Sequence, residues 1–266
     1  MVVYAGQGDA RRSLSLLWRA PGAEPVPRTG RSGPKPGLSV DAIVSAGIAV
    51  ADSEGMAALS MRAVGERLGR TAMALYTYVP GKAELLDLMH DRAFAEMPLE
   101  SRGSDGSDGS DGRGGSGDWR ADVTAWAEAL YAGYLRHSWM LQVSQARPVL
   151  GPAELAAMEA LLRALQPAAL PAVRLRGAVG ALWQFVRGMA GVAAEARDAA
   201  AATGVADADW WTARSARLAE LAPDFAERFP LLSALESGGD PDPQARDREG
   251  FRSGLAVLLD GIAAPA

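Results

Sequence analysis

The chain has no cysteine, which excludes disulfides, thiolate nucleophiles and thiolate-ligated metals. Histidine occurs only at His90 and His137. With no motif of catalytic spacing around them, an enzyme, a metal centre and a bound cofactor are all unexpected. No run of apolar residues is long enough to span a membrane. The short apolar group after Arg11 and Arg12, namely Leu14, Leu16, Leu17 and Trp18, is too interrupted for a secretion signal, so the expected location is the cytoplasm. A basic excess is also missing. Lys and Arg total 27 against 32 Asp and Glu, for a net charge of −5. Such a chain does not coat nucleic acid indiscriminately, and any contact with it must be local and shaped.

What is present is concentrated between Ser60 and Lys82, SMRAVGERLGRTAMALYTYVPGK. Ser60 can cap a helix whose apolar residues Met61, Val64 and Leu68 share one face. Gly69 ends it by supplying a left-handed turn, and Thr71 can cap the next, shorter helix. In that helix Leu75 and Val79, four apart, point into a core. Met73, Ala74, Thr77 and Tyr78 point the other way and are not the usual charged surface set. A helix, a glycine turn and a second helix describe a helical hairpin, or a helix-turn-helix whose second helix enters the major groove. There, alanine and threonine can touch a thymine methyl, and hydroxyls can bond to base edges or phosphate. The flanks favour the second reading. Residues Val40 to Ser53 carry Ile43, Val44, Ile48 and Val50 as a preceding helix stopped by Glu54 and Gly55. Downstream, Pro80 and Gly81 break the short helix and Lys82 opens a new one, with Leu85, Leu86 and Met89 buried and a positive dipole end suited to phosphate.

These residues match a known pattern. The run LSVDAIVSAGIAVADSEGMAALSMRAVGERLG followed by LYTYVPGKAELLDLM, from Leu38 to about Phe94, resembles the TetR family of bacterial one-component transcriptional regulators. The resemblance implies an all-α protein, with an N-terminal three-helix helix-turn-helix domain and a helical C-terminal ligand-binding and dimerisation domain. It also implies roles residue by residue. Tyr76 and Lys82 hold the DNA backbone, Arg62 sits near phosphate, and Thr71, Ala72, Met73, Ala74, Thr77 and Tyr78 face the bases. The chain departs from the pattern at Thr77, where many relatives carry a longer polar or basic side chain, so strong bidentate base readout is not expected there.

Residues 1–37 combine Arg11, Arg12, Arg19, Arg28, Arg31 and Lys35 with scattered Pro and Gly, the composition of a flexible basic arm. Such an arm either contacts DNA or is merely solvated. Residues 38–97 form the reading domain. Residues 98–117 form a connector, whose core repeats Ser-Asp-Gly from Ser104 to Gly112 and lacks the glutamate of a calcium loop. Residues 118–266 read as helices: a first one with Trp119, Val123, Trp126, Leu130 and Tyr134 on one face, then Pro152 to Leu165, Ala172 to Ala196, Asp209 to Leu221 and Gln244 to Ile262. The third carries Gly177, Gly180, Gly188 and Gly191. Each costs about 1 kcal/mol relative to alanine, a penalty that close helix approach or a cavity must offset.

The ending EGFRSGLAVLLDGIAA is similar to the last helix of tetracycline-repressor-type effector domains, which pairs with its twin in a dimer. The resemblance thus implies a homodimer on double-stranded DNA carrying an inverted-repeat operator, most simply a repressor released by a small apolar or aromatic molecule. Control by a partner protein is the alternative. Trp126, Tyr134, Trp139, Met158, Trp183 and Met189 are the candidate ligand contacts, although aromatics at helical spacing also pack a core. His137 does not sit in a sequence matching the magnesium–drug site of some tetracycline repressors, and no metal site is assigned to it.

Overall fold

The computed structural model describes residues 3–20, 38–99, 118–144, 146–236 and 243–264. Among the described residues the architecture is all-α, relieved only by a parallel pairing of two-residue strands, β1 (Val3–Tyr4) and β2 (Val143–Ser144). Two compact units are present, residues 1–171 and 172–266.

The first unit contains α1 (Ala10–Leu17), α2 (Val40–Glu54), α3 (Met61–Arg67), α4 (Ala72–Tyr76), α5 (Lys82–Ala95), α6 (Trp119–Arg136) and α7 (Pro152–Leu165). Ser39 and Ser60 cap α2 and α3 through hydroxyls that accept from Ala42 N and Ala63 N, satisfying amides that a helix start leaves open. Gly55 and Gly69, at φ of 80° and 63°, make the left-handed turns that end these stretches. The head closes over Val40, Ile43, Val44, Val64, Leu75, Val79, Leu85 and Met89, all essentially inaccessible to solvent. Burying a side chain of this kind contributes about 1.5–3 kcal/mol, so two residues suffice to dock the five-residue α4.

Residues 38–97 do not stand apart from the first effector helices. Asp52 of α2 accepts Trp139 Nε1 at 2.9 Å and faces His137 Nδ1 at 3.0 Å, just past α6. Asp91 of α5 accepts the first-turn amides Ala153 N and Glu154 N of α7. These bonds are why the helices expected on either side of the connector share one unit. The connector itself, from Glu100 to Gly117, lies outside the described residues.

The expectation of a flexible arm over residues 1–37 is corrected for residues 3–20. Asp9 caps α1 by accepting Arg12 N, and Ala5, Ser13 and Leu17 are buried. Composition suggested a flexible basic arm because the charges at Arg11 and Arg12 mask a short apolar face. Residues 21–37 lie outside the described residues.

The second unit contains α8 (Ala172–Thr203), α9 (Asp207–Leu221), α10 (Phe225–Arg228), α11 (Pro230–Glu236) and α12 (Pro243–Ala263). Helices α8 and α12 pack through Leu182, Val186, Leu255 and Leu259, with Phe185 stacked on Phe251 at 5.7 Å between centroids. Arg174 donates to the carbonyls of Gly261 and Ile262, answering acceptors left open at the end of α12. Among the described residues no helix is long and apolar enough to cross a membrane.

Candidate nucleic-acid interface

The close approach of α3 and α4 depends on Gly65. A Cβ there would lie 2.7 Å from the Arg70 carbonyl, and Arg70 N donates to the Gly65 carbonyl at 2.8 Å. This contact fixes the angle at which α4 leaves α3, and with it the face that α4 presents.

On that face Met73 is 76% exposed and Tyr76 45%, whereas Leu75 and Val79 are fully buried. Thr71 and Thr77 are exposed, and Ala72, Ala74 and Tyr78 half-buried. Each predicted base-facing residue is thus at least partly accessible, with Met73 and Thr77 the most outward of those within and just after the helix. Thr71 departs from expectation in one respect: it stands at the helix start with extended backbone but makes no side-chain capping bond. Helix α4 is held by its neighbours rather than by its cap. Arg62, on α3, is exposed and donates from Nε to Glu66 Oε1 at 2.8 Å, one turn on. A pair this exposed contributes little to stability and can be exchanged for a phosphate. Lys82 is exposed as the first residue of α5, and Gly81 before it provides no side-chain cap. The open first-turn amides and the lysine charge together suit an anion. Arg67 and Arg70, both exposed, flank the Gly69 turn and add positive charge that apolar spacing does not reveal. Their position either side of Gly69 was the available signal.

The candidate ligand contacts fare differently. Trp126, Tyr134 and Trp139 are buried in the first unit, with Trp126 Nε1 donating to the Ala157 carbonyl and Trp139 Nε1 to Asp52. Both indole bonds hold helices together, which is a core role. Met158, on α7, is half-buried, whereas Trp183 (buried) and Met189 (half-buried) belong to α8 in the second unit. In the first unit a cavity of about 370 Å³ lies between the end of α5 and α7, lined by Phe94, Met97, Leu99, Ala153, Ala156 and Ala157 among others. None of the six predicted contacts lines it.

Comparison with known proteins bears on the whole chain. Residues 43–89 match the family model described as bacterial regulatory proteins, tetR family, and residues 112–265 match the tetracyclin repressor-like C-terminal domain. The HTH-type transcriptional repressor DrrR1 of Streptomyces coeruleorubidus is 38% identical over 261 residues, covering 97% of this chain and 87% of the relative. A TetR transcriptional regulator of Streptomyces coelicolor superposes with a TM-score of 0.61 at 26% identity, covering 85% of this chain and 98% of that one. ActR of the same organism, in complex with actinorhodin, gives 0.61 at 23% identity over 85% and 95% of the two chains. An exposed recognition helix braced by a glycine contact, a lysine at the following helix start and similarity at both ends of the sequence lead to one assignment: the chain belongs to the TetR family and is a DNA-binding transcriptional repressor of the helix-turn-helix type.

Proposed function

We propose that the protein acts as a homodimer in the cytoplasm, reading the two half-sites of an inverted-repeat operator with paired α4 helices and leaving it when a small apolar or aromatic molecule binds. The observation that carries DNA reading is the accessible face of α4 with Lys82 beside it. Met73, Ala74 and Thr77 offer methyl groups and a single hydroxyl, so contact with thymine methyls and groove shape carries more specificity than bidentate hydrogen bonding. Tyr76, Lys82 and Arg62 supply backbone contacts that set register.

Dimerisation is supported by α8. Gly177, Gly180, Gly188 and Gly191 fall on one helical face, opposite the buried Leu182, Val186 and Ala190, and a Cβ added at any of them meets nothing within 4 Å. Four glycines facing open space weaken the isolated helix, and a second copy packed closely against them offsets that loss. Val173 and Val192 are exposed on the same side, and Val257 is exposed on α12. Ligand gating is supported by the cavity beside α5, whose volume falls within the range of small-molecule sites. A molecule lodged between α5 and α7 changes the setting of α5, and its effect on DNA affinity is bounded by its differential affinity for the two arrangements. ActR, of the same fold, is bound to actinorhodin.

Footprinting on a duplex selected by the protein from a random pool tests this reading. Two symmetric protected half-sites, centred about 34 Å or a multiple apart, are expected. A single asymmetric site would count against the paired reader.

A further inference from the structure

Helix α5 carries Glu84, Asp87 and Asp91 on one face, at spacings of three and four residues. Their carboxylates are spent on groups from outside the helix. Glu84 Oε1 accepts Asp9 N at 3.3 Å. Asp87 accepts Gly6 N at 2.8 Å through Oδ1 and the Ser13 hydroxyl at 3.0 Å through Oδ2. Asp91 Oδ1 accepts Ala153 N at 2.9 Å and Glu154 N at 3.0 Å. Both partners approach through glycine. A Cβ at Gly8 would lie 2.7 Å from Glu84 Oε1, and one at Gly151 would collide with the Asp91 carboxylate. The N-terminal segment then reaches onward. Trp18 Nε1 donates to the Leu150 carbonyl at 3.0 Å, and β1 pairs with β2. Residues 143–144 and 150–154 are thus tied to α5 twice, directly by Asp91 and indirectly through residues 3–18. The segment precedes the part of the chain matched by the tetR model.

We propose that Asp87 and Asp91 are positioning residues for DNA reading, gripping the N-terminal strap and the start of α7 so that α5, and with it Lys82 and the α4 to α5 turn, is held at one setting. The proposal rests on the DNA-reading function above. Its physical content is preorganisation. A dimer engages two half-sites at once only when both heads are correctly set, and a loosened head loses affinity by the fraction of time it spends elsewhere. Asp87 is 1% exposed, so its two bonds do not compete with water.

Full-length Asp87→Ala and the pair Ser13→Ala/Trp18→Phe remove the strap's grip from opposite sides, whereas Asp87→Asn keeps an acceptor for Gly6 N and a donor for the Ser13 oxygen. Amide hydrogen exchange and affinity for the selected duplex are measured on each. In Asp87→Ala and the Ser13/Trp18 pair, exchange over residues 82–95 and 150–156 rises at least about fivefold with α8 and α12 unchanged, and DNA binding weakens about five- to tenfold. Asp87→Asn retains both properties. Unchanged exchange in the two disruptive variants overturns the proposal. So does DNA affinity that is unmoved despite faster exchange, or an asparagine variant as impaired as the alanine one. Should Asp87→Ala raise exchange throughout the chain, the Ser13/Trp18 pair, which leaves α5 intact, decides the matter by the same criteria. A wild-type chain that selects no duplex overturns DNA reading, and the exchange measurement then judges the grip on its own.

Discussion

Asp87 illustrates how one side chain answers two demands. Its bonds to Gly6 and Ser13 favour the ionised form, yet burial is the larger influence and pushes its carboxyl above the ordinary range, with neighbouring Glu84 adding to the rise. Asp91 and Glu154 are raised by burial as well, and Asp91 contributes to the shift of Glu154. For an acid whose folded value exceeds its unfolded one, stability is fully present below the unfolded value and is lost as pH rises through the folded one. These three carboxyls therefore contribute stability that grows as pH falls from neutrality toward the ordinary carboxylate range. Asp87→Asn, which cannot ionise, is expected to melt above the wild type at neutral pH. The difference closes at acid pH, and a series of melting curves across that window checks it. A wild-type advantage at neutral pH would mean that the hydrogen bonds outweigh the burial cost.

At the scale of elements, much was legible because local rules and packing agree. The predicted helix Pro152 to Leu165 matches α7 end to end, and Ser60, Gly55 and Gly69 perform the capping and turning expected of them. The inward side was equally visible, since Leu75 and Val79 are both fully buried as their spacing predicts. Three features were hidden because they depend on distant partners. Thr71 starts α4 without a side-chain cap bond, while the close approach at Gly65 and the buried Leu75 hold the helix in place. The fold of residues 3–20 depends on carboxylates more than seventy positions away, to which composition is blind. Trp126 and Trp139 bond through their N–H groups to Ala157 and Asp52, partners that helical spacing does not reveal.

The glycine face of α8 carries the prediction of this scale. Gly180→Leu with Gly188→Leu meets open space within the protomer and improves helix propensity by about 1 kcal/mol at each site, so the isolated helix gains. At a closely packed twofold interface the same side chains collide. Sedimentation is expected to show a folded monomer with dimer affinity reduced at least about tenfold, a loss of about 1.4 kcal/mol. An undiminished dimer would remove α8 from the interface.

At the scale of the molecule, an overall acidic balance contrasts with a local cluster of basic side chains around α4. On a chain of net charge −5, Arg62, Arg67, Arg70 and Lys82 are all exposed around α4, and this local positive charge favours an encounter with DNA by that face. Helix α5 joins this surface to the rest of the first unit. Its first residue, Lys82, is exposed, its acidic face bonds to residues 6–13 and to the start of α7, and its last turn borders the cavity proposed for a ligand. The most direct measurement of the central claim, DNA reading by α4 and the start of α5, is fluorescence anisotropy of the selected duplex with Tyr76→Ala/Lys82→Ala, with sedimentation on the same sample. Both residues are exposed, so the variant is expected to remain a folded dimer while its specific binding falls at least about a hundredfold, as the loss of two backbone contacts in each of two half-sites implies. Wild-type affinity in that variant would contradict the account.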